Sequence, residues 1–402
     1  MAVYLDHAAT TPLRDESREA WIAASATLGN ASSIHGPGQG ARRLLEEARE
    51  RVAAAVDCDP VEVVFTSGGT ESINTAVSGL LRARRAASSS RNAILVPRAE
   101  HHATLDAVDW LERAGEARVG RVEVDGDSVV DLAQWRAALE APDAAVATML
   151  AANNETGAMQ PVAAASALAA EAGVPMHVDA VGAFGHAPLS FAGLRAESGA
   201  RAAGLVAMSL SAHKFGGPVG VGALVVSRDA APVPLLHGGG QQRGLRAGTQ
   251  DVAGAAALAV AAELVVAELA GEADRLAGLR DRLQAGLVAA IPELQVSAGG
   301  VDRLPGHLHV RLPGAQGDSL LLLLDAAGVA VSTGSACQAG VPEPSHVLRA
   351  MGVEDADARG ALRITLGRTS TPDDVAAVLG ALPGAYERAR RAGLSSRAVS
   401  GR

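Results

Sequence analysis

The chain has 402 residues, 48% of them hydrophobic and 20% charged, enough to bury a large core and to form two lobes. Its formal net charge of −9 argues against the basic face that nucleic-acid phosphates require, so no direct nucleic-acid partner is expected. Two cysteines, Cys58 and Cys337, exclude a disulfide framework and a cysteine-rich metal centre.

The opening run "MAVYLDHAATTPLRDE" has no basic region followed by a long apolar one, so no secretory signal is expected and the reading is a soluble, cytoplasmic protein. "ARRLLEEARERVAAAV" (41–56) has helical periodicity, and "EVVFTS" (62–67) predicts a strand. The Ala/Arg/Ser segment 82–91 reads as a surface loop. Further strands are predicted at 92–97, 144–150, 175–180, 204–210 and 221–227, with a helix at 162–173. Strands alternating with helices predict an α/β fold, a mostly parallel sheet covered by helices, with ligands at the carboxyl ends of its strands.

After about residue 255 a long Ala/Leu/Glu helix pattern runs to about Ile291, followed by strands at "HLHVRL" and "GALRITL" and a final helix from Pro372. The expected division is a large domain over 15–260 and a small α+β domain over 261–402, joined by an N-terminal arm, 1–14. The apolar runs 252–262 and 320–324 are too short to span a bilayer and read as core, so no membrane is expected. The basic C-terminal "ERARRAGLSSRAVSGR" reads as a solvated, fraying tail.

Three polar elements stand at predicted strand ends. "FTSGGTES" (65–72) feeds a strand through Gly68, Gly69 and Thr70 into a helix, and the N–H groups at such a turn suit a phosphate, although most such turns are simple caps. Asp179 ends the strand of "HVDA" as a turn residue or as an anion facing a cationic ring nitrogen. Lys214 follows "MSLSAH" and precedes a glycine-rich turn. A lone lysine is usually solvated, but apolar flanks enclose this one, and burial lowers an amine's pKa and frees it to form a Schiff base. Cradle, counter-ion and imine-forming amine together are the parts that hold pyridoxal 5′-phosphate, with Ser211 and His213 as further phosphate donors.

The ordered runs "YLDHAATTP", "GNASSIHGPG", "FTSGGTES", "AEHHA", "NNETG", "HVDA", "SAHK", "GGGQQRGLRAGT", "STGSAC" and "LRITLGR" span nearly the whole chain. In these it resembles the class-V branch of the fold-type-I pyridoxal-phosphate transferases, and within it the cysteine desulfurases of the NifS/IscS type. The resemblance implies removal of sulfur from L-cysteine, leaving L-alanine and a persulfide on Cys337 that passes to a protein acceptor, such as an iron–sulfur scaffold or a tRNA-thiolating enzyme. It makes Lys214 the Schiff-base residue, Asp179 the partner of the ring nitrogen, and Gly69, Thr70, Ser211 and His213 the phosphate cradle. His101 would stack on the ring and move protons, and Asn154 would lie beside cofactor and substrate. Arg363 would grip the substrate carboxylate. Thr249 would reach the phosphate of a neighbouring subunit, implying a homodimer with shared active sites.

Cys337 lies in the Gly- and Pro-rich "STGSACQAGVPEPS", where a thiol can act as a nucleophile, whereas Cys58 reads as a small apolar residue beside a turn. Several positions depart from the family. Val181, Gly182 and Ala183 stand where a glutamine is common, the stretch 193–204 is long, Gln242 replaces Glu, and Ala31 replaces Pro. The competing readings are a related class-V lyase or aminotransferase, a cofactor-binding scaffold without turnover, and a metal site at His101, His102 and Asp106, whose spacing completes no recognised ligand set.

Overall fold

The computed structural model describes residues 3–196, 202–334 and 344–400, with side chains through Arg391. The strands in chain order are β1 (Val3–Tyr4), β2 (Val63–Thr66), β3 (Ala93–Pro97), β4 (Arg118–Val122), β5 (Ala144–Leu150), β6 (Pro175–Asp179), β7 (Gly204–Ser211), β8 (Gly222–Val226), β9 (Gln295–Ser297), β10 (His307–Arg311), β11 (Val329–Ala330) and β12 (Ala361–Thr365). Seven form one sheet in the order β2-β8-β7-β6-β5-β3-β4. Within it only β8 runs antiparallel to its neighbours.

Side-chain alternation explains why this sheet takes helices on both faces. Val63 and Phe65 of β2 join Met149, Met176 and Met208 on one face, packed with the helices Gly36–Val56 and Val162–Glu171. Val64 joins Ile94, Val146, Val206 and Leu224 on the other, under the helices Gly69–Ala87 and His102–Arg113. The expected α/β architecture is what the structure shows.

A second core surrounds the three-stranded antiparallel sheet β12-β10-β9. One helix, Val252–Ala290, serves both cores: Ala255, Leu258 and Ala262 face the first, while Leu276, Leu279, Leu283 and Leu287 face the second. Residue 260 therefore lies inside a continuous helix. The apolar run 252–262, expected to be too short for a membrane, belongs to this 39-residue element, which by length and composition could cross one. Burial assigns it to the core instead, since it packs along the helices Asp15–Ser25 and Gly36–Val56. Arg14 and Arg51 pair with its Glu268 and Glu263.

Two segments differ from expectation. Residues 82–87, expected in a loop, continue the helix Gly69–Ala87, because Ala and Arg are strong helix formers and Arg82 is held by Glu116 at 3.1 Å. The C-terminal segment, expected to fray, continues the helix Pro372–Ser400. The departure at Gln242 has a physical account. Its amide accepts from Phe65 N and donates to Phe65 O, both at 2.7 Å, and a glutamate could not make the second bond.

The N-terminal arm ties the two cores together. Its β1 pairs in parallel with β11, Asp6 bridges to Thr365 of the small sheet, and Thr11 N donates to His213 O of the large one at 3.0 Å.

Candidate active site

Five strand ends of the large sheet open onto one cavity of about 560 Å³. Register places them side by side: Leu150 of β5 pairs with Asp179 of β6, Asp179 with Ser209 of β7, and Ser211 with Gly222 of β8. One rung below, Thr148 Oγ1 meets His177 Nδ1 at 2.9 Å and His177 Nε2 meets Ser209 Oγ at 2.7 Å. Burial holds that imidazole down at about 3, so it bridges the three strands as a neutral ring.

Gly69, Thr70, His101, Asn154, Asp179, Ser211, His213, Lys214 and Arg363 all line this cavity. Thr249 is exposed and does not line it. Cys337, and residues 197–201 of the long stretch, lie outside the described residues.

Lys214 is the only lysine in the chain. Its Nζ donates to the carbonyls of Ala8 at 2.5 Å and Ala9 at 2.9 Å. Burial and then the neighbouring Arg363 guanidinium bring its pKa down to about 8, against the opposing pull of Asp179 and Asp6. Asp179 is buried, which pushes its carboxyl up to about 6, opposed by a 2.9 Å hydrogen bond from Val181 N and by Lys214. Behind it Glu100, whose Oε1 accepts from Leu150 N at 2.6 Å, is pushed up to about 8 by burial and then by Asp179.

His101 caps the helix His102–Arg113: its Nδ1 accepts from Ala103 N at 3.0 Å, so the neutral ring carries its proton on Nε2. Burial, then Lys214, lowers its pKa to about 4. His213 is lowered to about 4 by the same two causes, and its Nδ1 lies 3.2 Å from Thr10 Oγ1. The His102 ring lies against that of His346 with centroids 4.6 Å apart and planes inclined at 59°, and its Nδ1 is 3.6 Å from Asp106 Oδ1. Among the described residues no three such groups could hold a metal ion.

Arg363 reaches the cavity from β12. Its Nη2 meets Asp6 Oδ1 at 2.8 Å and its Nη1 donates to Asn154 O at 2.8 Å, while its buried Nε and Asn154 Oδ1 have no partner among the described residues. A backbone bridge to Ser332 fixes its strand.

These residues fit pyridoxal phosphate. Among the described residues no side chain caps the helix Gly69–Ala87, so its N-terminal N–H groups are open to a phosphate. The glycines there are a packing requirement: a Cβ on Gly69 would lie 2.6 Å from Val181 Cγ2, and one on Gly222 would lie 2.7 Å from Gly68 Cα. A Cβ on Gly182 would make an ordinary van der Waals contact with Ala152 O at 3.7 Å. Cys58, in contrast, is pushed up to about 12 by burial, as befits an inert thiol.

Sequence reasoning assigned no role to Asp6, His7, Ala8, Ala9, His186 or His307, although five of these six line the cavity and Asp6 holds Arg363. The run "YLDHAATTP" signalled the first four only through the resemblance.

The aminotransferase class-V family matches residues 3–378, and the chain belongs to that family. An IscS-like cysteine desulfurase of Mycobacterium tuberculosis is 50% identical over 401 residues, covering 99% of each chain. A cysteine desulfurase of Cereibacter sphaeroides is 41% identical, covering 96% of each. Among solved structures, a NifS-like protein superposes with a TM-score of 0.86 at 34% identity, covering 96% of this chain and 99% of its own. SspA in complex with cysteine superposes with a TM-score of 0.77 at 29% identity, covering 90% of this chain and 98% of its own.

Proposed function

We propose that this protein is a pyridoxal-phosphate-dependent cysteine desulfurase that moves sulfur from L-cysteine to Cys337 and releases L-alanine. The observation that carries the reading is the convergence of the chain's sole lysine, a buried aspartate and a buried arginine in one cavity, in a chain half identical to an IscS-like cysteine desulfurase.

The cofactor, when bound, supplies a sink for charge that develops at the substrate α-carbon. Asp179 would hold a positive ring nitrogen, and Gly69, Thr70, Ser211 and His213 would hold the phosphate. Arg363 binds the substrate carboxylate, kept in place by Asp6 and Asn154 O. Lys214, with its lowered pKa, holds a large neutral fraction near pH 8, takes the α-proton onto Nζ and later returns it. The Cys337 thiolate then attacks the substrate sulfur: the S–S bond forms, the C–S bond breaks, and its electron pair stays with the carbon skeleton, which takes up a proton to become alanine.

Exposed Trp21, Ile22, Leu28 and Ile34, together with Thr249 outside its own chain's cavity, support a homodimer with shared sites. The persulfide passes to a protein acceptor. Because one lysine is present, borohydride reduction of the loaded enzyme should place a single pyridoxyl group on the Lys214 peptide, and L-cysteine with a thiol reductant should yield alanine and sulfide in equal amounts. Pyridoxyl label confined to other sites, or alanine formation without sulfide, would sink the reading.

A further inference from the structure

Glu155 of "NNETG" has no part in the chemistry above, yet it is 1% exposed, an unusual position for a carboxylate. Its Oε2 accepts from Ser345 Oγ at 2.5 Å. Ser345 is itself buried and caps the helix His346–Ala350, accepting from Val347 N at 3.1 Å and Leu348 N at 3.2 Å. On the other side Glu155 packs on Gly334: a Cβ there would sit 3.3 Å from Glu155 Cγ and 3.4 Å from Oε2, and φ is +83°. Gly334 N in turn donates to Ser332 Oγ at 3.0 Å, and Ser332 is bridged to Arg363. Glu155 thus hydrogen-bonds Ser345 after 335–343 and lies beside Gly334 before it, and its chain neighbour Asn154 holds Arg363.

The geometry points to Glu155 as a positioning residue that fixes both flanks of the Cys337 segment relative to the substrate-binding Arg363, and so sets how effectively Cys337 meets the substrate sulfur. This rests on the desulfurase reading. Two features support it. The buried hydrogen bond to Ser345 is short and costly to leave unmade. That bond, and the Arg363 guanidinium, oppose the burial that raises the Glu155 pKa. A group that acts through placement leaves substrate binding intact and slows the transfer step, because small displacements of reacting atoms cost rate steeply.

The test uses the full-length, cofactor-loaded enzyme with two readouts: the cofactor absorbance change on adding L-cysteine, and sulfur gained on Cys337, followed by mass in single-turnover experiments. Glu155→Ala should leave the first within about twofold and slow the second about tenfold or more. Glu155→Gln, which keeps an oxygen for Ser345, should restore most of the rate. Ser345→Ala should slow transfer like Glu155→Ala, and the double variant should be little worse than either single one. Transfer at the parent rate in Glu155→Ala or Ser345→Ala, equal loss of both readouts, or no rescue by Gln would overturn the assignment. A parent enzyme that gains no sulfur sinks the desulfurase reading instead. Amide exchange at Val347 and Leu348 then tests the contact alone: faster exchange in Glu155→Ala upholds it, and unchanged exchange removes it.

Discussion

The two sheets contribute to the site in different ways. The large sheet supplies residues at the ends of strands buried on both faces, where register alone brings Asp179 beside Ser209 and Ser211 beside Gly222. The small sheet supplies Arg363, which is placed by side-chain and backbone partners from distant segments: Asp6 at 2.8 Å, Asn154 O at 2.8 Å and Ser332. Hydrogen-bonded register sets the large-sheet groups directly, whereas the Arg363 guanidinium, on a strand registered to β10, is aimed by a few contacts of its side chain. Cofactor binding should therefore tolerate damage that substrate binding does not.

The largest effect belongs to the large sheet. Lys214→Ala should lower alanine formation by about 10⁴-fold or more, because no other lysine can substitute. Steady-state assays with L-cysteine check this, and a loss below tenfold would contradict it. Next comes the small core: Leu283→Ala removes a buried side chain between the long helix and the small sheet and should cost about 2–5 kcal/mol, read as a lower denaturant midpoint. The visible spectrum of bound cofactor should persist at concentrations where activity is already lost.

Arg363→Ala should reduce kcat/KM for L-cysteine about 10²-fold while the cofactor stays bound, and Arg363→Lys should rescue little, since an ammonium cannot reproduce the planar fork. Asp6→Asn should raise KM about three- to tenfold with kcat nearly unchanged, since the lost ion pair holds Arg363 without touching the sulfur. An equal fall in kcat would mean that the arm acts on the chemistry through Lys214, whose ammonium sits on the next turn of the same arm.

The smallest effect is a pH dependence. Lys214 titrates at about 8 in the cofactor-free fold against an ordinary value of 10.5, so the unfolded chain binds more protons between those values and this residue's contribution to stability rises with pH across that window. Cofactor capture by the apo-enzyme should accelerate up to about pH 8 and then level off. Stopped-flow absorbance checks the second point, and denaturation of parent against Lys214→Ala checks the first.

What was legible in the sequence follows the same division. The strand-end residues could be read because each carries a residue-type signal: glycines before a helix, an aspartate and a lysine after apolar runs. The arm that receives Lys214 could not be read from chemistry, because the carbonyls of Ala8 and Ala9 belong to residues with no functional group. Nor could the Asp6–Arg363 pair, whose members lie at opposite ends of the chain. Strand β4, "RVGRV", has no apolar run to signal it, being an edge strand with an exposed Arg118 and a half-buried Arg121, and the alanines and arginines of 82–87 carry helix propensity without apolar periodicity. The Val181 side chain packs against Gly69, a close approach that residue type alone does not signal.

The most direct measurement is the mass of the Cys337 peptide from cofactor-loaded enzyme before and after L-cysteine, without reductant, in the parent and in Lys214→Ala. The account predicts a gain of one sulfur atom on Cys337 in the parent and none in the variant. An unchanged Cys337 peptide in a parent enzyme that has turned over L-cysteine would contradict it.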